Sequence, residues 1–551
     1  MRCSLIQINP KVGDIRGNTA TILGALKEAA NQGAKLALLP EMSITGYPPR
    51  DLLLYPGFIK EVEDAVLWLA REANFPELTI VLGAVGRNPQ KGTPLYNLAL
   101  VIENGEIRGH YAKRLLPTYD VFDEARYFEA GKAPLTFQKD NLTFAVTICE
   151  DIWNDEAFWP HPLYQLDPLS SHPPFDVLIN LSASPFSVGK QTLREAMLKN
   201  LAQKYRALVL YVNQVGANDE LIFDGRSSVF APDGRLLGRA KPWVADILTV
   251  DLAQGEAKIA PDDFSPEAET WWALGLGVKD YCAKNGIKSV VLGLSGGIDS
   301  ALTAAIAASA MGPENVHGLI MPSPYSSSHS LADALDLGKN LSLGSLTILP
   351  IEPVMGAFFE VLKPLFQNLP QDATEENIQA RIRGTLLMAD ANKFGRMLLT
   401  TGNKSEISVG YCTIYGDMCG ALAVIGDLYK TEVFRLAKWV NREKIQIPYN
   451  TILKPPSAEL KPGQVDADSL PPYEILDKIL VLLLEKRQNP EEVALSGEFP
   501  LETVKRVANL VKNGEFKRRQ AAPVLKITGQ AFGVGWRMPI ACRSVFTLEK
   551  S

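Results

Sequence analysis

Histidine and cysteine are scarce in this chain of 551 residues, with five of the first and six of the second. Cys3, Cys149, Cys282, Cys412, Cys419 and Cys542 form no CxxC pair. That sparsity argues against a disulfide framework and for a reducing compartment, so a cytoplasmic location is expected. The histidines, His110, His161, His172, His317 and His329, leave few candidates for a Cys–His or Ser–His catalytic pair. An excess of positive charge is also missing. The formal net charge is −6, and no basic stripe is present, which removes the electrostatic case for nucleic acid or an anionic membrane as partner. No apolar run is long enough to span a bilayer. The opening "MRCSLIQINPKVGDIRGN" has no signal-peptide core. What remains is ordinary globular composition, 46% hydrophobic and 21% charged. A chain of this length is expected to split into two or more domains.

The first half reads as short apolar, β-branched runs at 4–9, 35–41, 78–85, 142–149, 176–184 and 207–214, with a helical stretch at 18–32. Residues 97–113 read as a hairpin turning at Asn104-Gly105, and 227–240 as a second one turning at Asp233-Gly234. Such a mixture predicts sheets covered by helices. The apolar period lapses over 256–268, which sets the expected organisation as a domain at 1–255, a linker at 256–268 and a domain at 269–551. Past the linker, strands and helices alternate from 288 to 402, the pattern of a doubly wound parallel sheet. The Pro-rich stretch 452–473 reads as a loop, mobile or in contact with a partner.

One turn in the second half carries unusual chemistry. In "GLSGGIDS", Gly293, Leu294, Ser295, Gly296, Gly297, Ile298, Asp299 and Ser300 lead from a strand pattern into an Ala-rich helix. The glycines let backbone approach an anion, the serines add hydroxyl donors, and the helix start points its amides at the same place. No Gly-Lys-Ser/Thr follows, so this is not a Walker A loop. A carboxylate, Asp299, stands inside the turn, which suits phosphates accompanied by Mg2+. The octet resembles the pyrophosphate loop of the ATP pyrophosphatase family. Segments 376–384, 398–433, 455–464, 470–477 and 517–528 are similar to those of NAD synthetases. The resemblance implies a Rossmann-like sheet of the adenine nucleotide alpha-hydrolase type. It implies ATP contacts from Thr401, Lys430 and Thr431 besides the turn, and deamido-NAD contacts from Asn377, Arg381, Glu406 and Lys517. Asp299 and Glu406 would hold Mg2+.

An amidation needs unprotonated ammonia, and the first half offers a source. Glu41 ends the run "LALLPE", Lys113 ends the second arm of the hairpin at 97–113, and Cys149 ends "FAVTIC". Three reactive groups at three strand ends is how a sheet scaffold assembles a site. A thiolate at Cys149 would attack an amide, with the Lys113 ammonium lowering its pKa. Glu41 would be general base, and Lys113 with a backbone amide beside Cys149 would hold the oxyanion. This Glu–Lys–Cys pattern resembles the nitrilase, or carbon–nitrogen hydrolase, superfamily, and especially the glutaminase part of glutamine-dependent NAD synthetases. The resemblance implies an α-β-β-α sandwich. It implies contact with L-glutamine by Tyr119, Ser184 and Lys190, in a pocket lined or supported by Tyr47, Phe122 and Glu124. Glu124 stands several residues later than the second glutamate of generic nitrilases.

Together the halves imply ATP-dependent amidation of deamido-NAD+, with nitrogen from L-glutamine or ammonia passed through the interior, and a homo-oligomer of at least two copies. The alternative is another adenylating glutamine amidotransferase with a different carboxyl or carbonyl acceptor. An amidase with a nucleotide-sensing second half and a tRNA-modifying pyrophosphatase are further rivals, argued against by Asp299 with Glu406 and by the acidic charge respectively.

Overall fold

The computed structural model describes residues 1–255, 257–367, 369–457, 459–461, 464 and 466–542. Residue 256 of the expected linker and positions 458, 462, 463 and 465 of the Pro-rich stretch thus lie outside the described residues. The chain divides into two units, Met1–Glu269 and Thr270–Ser551.

Period-two alternation builds the first unit. Leu5, Val81 and Ala99 share one core cluster with Phe144, Ile179 and Leu210. Their chain neighbours Ile6, Leu82 and Leu100 turn the other way, into a cluster with helices Ile15–Asn31 and Pro56–Glu72. Ala145, Leu178 and Val209 likewise face helix Lys190–Tyr205. Since successive strand residues point to opposite faces, two sheets back to back with helices outside is the packing this pattern allows. The result is the α-β-β-α sandwich. One sheet runs, in spatial order, 246–251, 2–7, 36–38, 79–87, 95–103 and 106–112. The other runs 236–239, 228–230, 208–213, 177–182, 142–148 and 135–139.

The two hairpins differ. Asn104 and Gly105 both have positive φ, 51° and 78°, as a type I′ turn requires. In the second hairpin only Gly234 does, at 84°, and Ala231 N–H bonds the Arg235 carbonyl at 2.8 Å. Its turn is wider, while both hairpins carry a register shift, between Val101 and Ile102 in the first and between Val229 and Phe230 in the second. Asp233 stays in ordinary backbone space because its carboxylate accepts the Arg235 amide at 2.9 Å.

In the second unit five parallel strands lie in the order 345–348, 316–320, 290–293, 397–400 and 422–423. Counted along the chain that is 3-2-1-4-5, the doubly wound order. The winding reverses between Val290–Gly293 and Met397–Thr400, and ligands of open α/β sheets bind at such a switch point. The helix after the first of these strands, Ile298–Met311, is buried nearly all round, which its run of alanines permits. The helices Tyr473–Leu480, Pro490–Gly497 and Leu501–Asn513 form a separate cluster with Ile407, Val409 and Tyr429.

Candidate active sites

In the first unit, the turn from strand Leu142–Ile148 into the short 3-10 helix Cys149–Ile152 sets Cys149 at φ 42°, in the sparsely used left-handed region. Asp151 secures that turn. Its Oδ2 accepts Ile148 N–H at 3.0 Å and Tyr111 O–H at 2.9 Å. Its Oδ1 accepts the amides of Arg114 at 3.0 Å and Leu115 at 2.9 Å. One buried carboxylate therefore ties the Cys149 turn to the two residues that follow Lys113.

Glu41 and Lys113 are each 1% exposed and Cys149 is 6% exposed. Lys113 Nζ donates to Glu41 Oε1 and to Glu124 Oε1, both at 2.8 Å. Glu41 also accepts Asn97 Nδ2 at 2.7 Å and the Ala183 amide at 3.0 Å. Glu124 accepts the Tyr47 hydroxyl at 2.9 Å. Burial would lower the Lys113 ammonium, but Glu124 and Glu41 outweigh it and hold it well above the usual lysine range. Burial raises Glu124 to about 7, against the pull of Lys113. The thiol departs from expectation. Lys113 does draw its pKa down, yet burial first and Glu41 next push it up, and the balance leaves Cys149 above its ordinary value. The fold thus favours the neutral thiol form of this group.

The expected glutamine contacts spread around this centre. Tyr119 O–H reaches both oxygens of Glu150, at 3.0 and 3.1 Å, and its ring meets Phe122 edge-on with centroids 5.3 Å apart. Ser184 follows Ala183, which bonds Glu41, and its own amide donates to Asn213 Oδ1 at 3.0 Å. Lys190 Nζ donates to the Pro185 carbonyl at 2.8 Å and sits 5.3 Å from the centre of a Trp153 ring. Glu124 pairs with Lys113 and is itself held by the Tyr47 hydroxyl. Asn97, Asp151 and Tyr164, which also bonds Glu150 at 3.1 Å, are not singled out by any motif, because their side-chain partners, Ile148 apart, lie 14 or more positions away in the chain.

In the second unit the glycine turn opens on a cavity of about 330 Å3, within the usual size range of ligand pockets. Gly293, Leu294, Ser295, Gly297, Ile298, Asp299 and Ser300 line it, as do Thr401, Glu406 and Lys430. Gly296 does not. Its φ is 78°, and a Cβ there would stand 2.2 Å from the Ser330 carbonyl oxygen, so it is the residue that lets the turn pass a neighbouring helix. Ser295 Oγ accepts Gly297 N–H at 3.1 Å and lies 3.2 Å from Ser300 Oγ. Lys430 Nζ joins the two acids, 2.5 Å from Asp299 and 3.1 Å from Glu406. Burial raises Glu406 to about 7, with Lys430 opposing and Asp299 adding. Asn403 fixes the arrangement by donating to Asp299 at 2.9 Å and capping the helix that carries Glu406 at 3.0 Å.

The remaining expected contacts are occupied within the protein. Thr431 N–H bonds Asp477 at 2.9 Å. Asn377 accepts Thr413 O–H at 2.7 Å, Arg381 Nε reaches the Ile414 carbonyl at 3.3 Å, and Lys517 Nζ holds the Gly410 and Cys412 carbonyls, each at 2.7 Å. None of these four lines the cavity. From helix Ala373–Phe394 the cavity receives Ala380, Arg383, Gly384 and Leu387 instead, one face at helical spacing. Arg383 Nε donates to the Met321 carbonyl at 3.1 Å, and burial lowers its guanidinium to about 10. No group of three or more His, Cys, Asp or Glu suited to a metal occurs among the described residues.

Comparison with known proteins agrees with both halves. The family model described as carbon–nitrogen hydrolase matches residues 2–261, and that described as NAD synthase matches 270–521. A Synechocystis protein named glutamine-dependent NAD(+) synthetase is 51% identical over 549 residues, covering 98% of each chain. One of the same name from Thermotoga maritima is 42% identical over 98% of this chain and 99% of its own. Among solved structures, the Acinetobacter baumannii glutamine-dependent NAD+ synthetase in complex with ADP superposes with TM-score 0.76 at 39% identity, covering 98% of both chains. A Cytophaga hutchinsonii enzyme of the same description shares the fold, with TM-score 0.83 at 22% identity over 98% of this chain and 97% of its own.

Proposed function

The chain belongs to the glutamine-dependent NAD(+) synthetases, and we propose how its residues divide the work. It is an ATP-using ligase that amidates deamido-NAD+ to NAD+. In our reading residues 1–255 supply ammonia and residues 269–551 adenylate deamido-NAD+ and receive the ammonia.

Glu41 takes the thiol proton of Cys149 as sulfur attacks the glutamine amide carbon, since a thiol raised by burial and by Glu41 itself needs a base at the moment of attack. The Lys113 ammonium, held at 2.8 Å by each of two carboxylates, stays charged and meets the developing oxyanion together with a backbone amide next to Cys149. Ammonia leaves, and Glu41 then activates water against the thioester. Ser184 and Lys190 hold the amino-acid end of glutamine, Tyr119 orders its approach, and Tyr47, Phe122 and Glu124 support the pocket.

In the second unit, Gly293 to Ser300 cradle the ATP phosphates with Thr401, Lys430 and Thr431. Arg383 adds a cation on the cavity wall. Asn377, Arg381, Glu406 and Lys517 receive deamido-NAD+, three of them by releasing bonds they now make to the protein's own groups. Asp299 and Glu406 converge on one point, now met by Lys430. Two hard oxygen donors fit Mg2+, which takes one or two protein carboxylates and completes its shell with phosphates and water. Bound there, it would neutralise charge on the ATP phosphates. We further place the enzyme in the cytoplasm, on its six unpaired cysteines, with no nucleic acid or membrane partner. No helix among the described residues is long and apolar enough to cross a membrane. A homodimer at least is proposed because helix Glu352–Phe366 presents Val354, Phe358, Val361 and Leu365 along one exposed stripe, Val361 at 78% and Leu365 at 72%.

The observation that carries the reading is the buried Glu41–Lys113–Glu124 chain beside Cys149. Cys149→Ala tests it, with NAD+ formation followed from either nitrogen source. Loss with glutamine and retention with ammonium is expected. A mutant that still uses glutamine refutes the triad.

A further inference from the structure

Residues 262–269 fall between the two matched stretches, 2–261 and 270–521, yet two of their carboxylates are tied into the first unit. Glu269, in the first turn of helix Pro266–Lys284, is 1% exposed. Its Oε2 accepts the Gly189 amide at 2.8 Å and its Oε1 accepts Arg226 at 2.7 Å. Arg226, fully buried, spends its Nε and second amino group on Asp262 at 2.8 and 2.9 Å, and also reaches Asp224 at 3.3 Å. The rings of Trp243 and Phe264 flank its guanidinium, each centred 5.0 Å away.

Everything in this cluster leads to the turn before Lys190. Gly189 stands at φ 78° as the N-cap of helix Lys190–Tyr205, with no side chain to cap it. A lysine in the first turn opposes the helix dipole, so helix stability does not account for Lys190 there. On its other side Gln191 accepts Arg194 at 2.6 Å, and Arg194 pairs with both oxygens of Asp224 at 3.1 and 3.2 Å. Lys190 is thus clamped from Gly189 through Glu269 and from Gln191 through Arg194, and the two clamps meet at Asp224. Three carboxylates face two guanidinium groups, and the Lys190 ammonium, whose charge acts on Asp224, brings the set to neutrality.

We propose that Glu269 is a positioning residue of the glutamine site, holding the Gly189–Lys190 turn in the geometry that receives the amino-acid end of glutamine. This rests on the reading that Lys190 contacts glutamine. A glutamate can accept from Gly189 and Arg226 at once. A glutamine there cannot, since one of the two donors would face its amino group.

The test uses the full-length enzyme. Glu269→Gln should raise KM for glutamine about tenfold or more, the equivalent of one lost bond to a charged acceptor, with kcat on glutamine changed less than about threefold. Ammonium-dependent NAD+ formation should keep its rate. Asp262→Asn leaves the Gly189 bond intact and acts only through Arg226, so its KM should rise less, and it serves if Glu269→Gln fails to fold. Lys190→Met separates the glutamine contact of Lys190 from the positioning role of Glu269. If it leaves the glutamine KM unchanged, the glutamine reading of Lys190 is wrong. If it raises KM while Glu269→Gln, or Asp262→Asn where only that folds, does not, the positioning role is overturned. Equal losses with both nitrogen sources would also overturn it, since they mark general damage.

Discussion

Replacing Asp151 by Asn removes a single charge from the centre of the glutaminase unit without changing size. Oδ1 holds the amides of Arg114 and Leu115, and Oδ2 holds Ile148 N–H and Tyr111 O–H. An asparagine keeps one oxygen. Its better orientation keeps that oxygen on Arg114 and Leu115, because the Tyr111 hydroxyl can rotate to accept from the new amino group. Ile148 N–H cannot, and is left buried and unpaired against an N–H. One charge-assisted bond lost and one buried donor orphaned costs about 3 kcal/mol. Local opening of the turn would then be about a hundredfold more frequent. Since Ile148 precedes Cys149 and Arg114 follows Lys113, loosening these contacts separates the groups that act together in the proposed reaction. Misplacement on that scale costs about a hundredfold in rate. Hydrogen exchange over 112–116 and 144–152 should show the opening, and glutamate release from glutamine the loss of rate. Ammonium-dependent NAD+ formation should remain at the wild-type level. If exchange quickens about a hundredfold while glutamine hydrolysis stays within about threefold of wild type, Asp151 does not set the geometry of this site.

Two other outcomes follow from single contacts. Gly296→Ala places a Cβ 2.2 Å from the Ser330 carbonyl at φ 78°, a left-handed backbone costing about 1–2 kcal/mol even without the clash. ATP-dependent pyrophosphate release should fall at least tenfold, while glutamine hydrolysis measured alone persists; an unaffected release would show that the turn tolerates a side chain there. Glu124, raised to about 7 by burial, should give kcat/KM for glutamine an acid limb near that pH, and Glu124→Gln should flatten it. An identical limb in the mutant would assign it to another group. Glu124 is paired with Lys113, but burial outweighs that pairing, so its effect on stability runs opposite to that of an acid whose pKa is held down by its partner. Folded Glu124 keeps its proton up to about 7 whereas an ordinary glutamate releases it near 4.5. The native state therefore binds more protons in that window, and this group's contribution to stability is present below it and lost as pH rises through about 7.

Sequence alone determined what a short stretch of backbone can encode. The Asn104-Gly105 turn, the alternation that sorts Leu5 from Ile6, and the glycine turn at 293–300 that opens on a cavity are local patterns, and each is legible because its physical cause lies within a few residues. So are two of the three strand ends: Lys113 and Cys149 directly follow strands Glu106–Ala112 and Leu142–Ile148, whereas Glu41 lies three residues past strand Leu36–Leu38. Tertiary structure decided the rest. Asp233-Gly234 read like the first hairpin turn, and only the bond from Arg235 to Asp233 shows why it is not. Helix Ala373–Phe394 carries polar groups on several faces, so its sequence does not say that Arg383 and not Arg381 meets the cavity. The approach of the sheet's switch point settles that. The thiol pKa turned on burial and on Glu41, 108 positions away in the chain, and not on Lys113 alone. Lys430 stands between Asp299 and Glu406 because the strand order 3-2-1-4-5 brings the helix starts that carry Glu406 and Lys430 up to that of Asp299, more than a hundred residues earlier in the chain. Local conformation follows from neighbours in the chain. Proton affinity and the choice of partner follow from what the fold packs around a group and how much water it excludes.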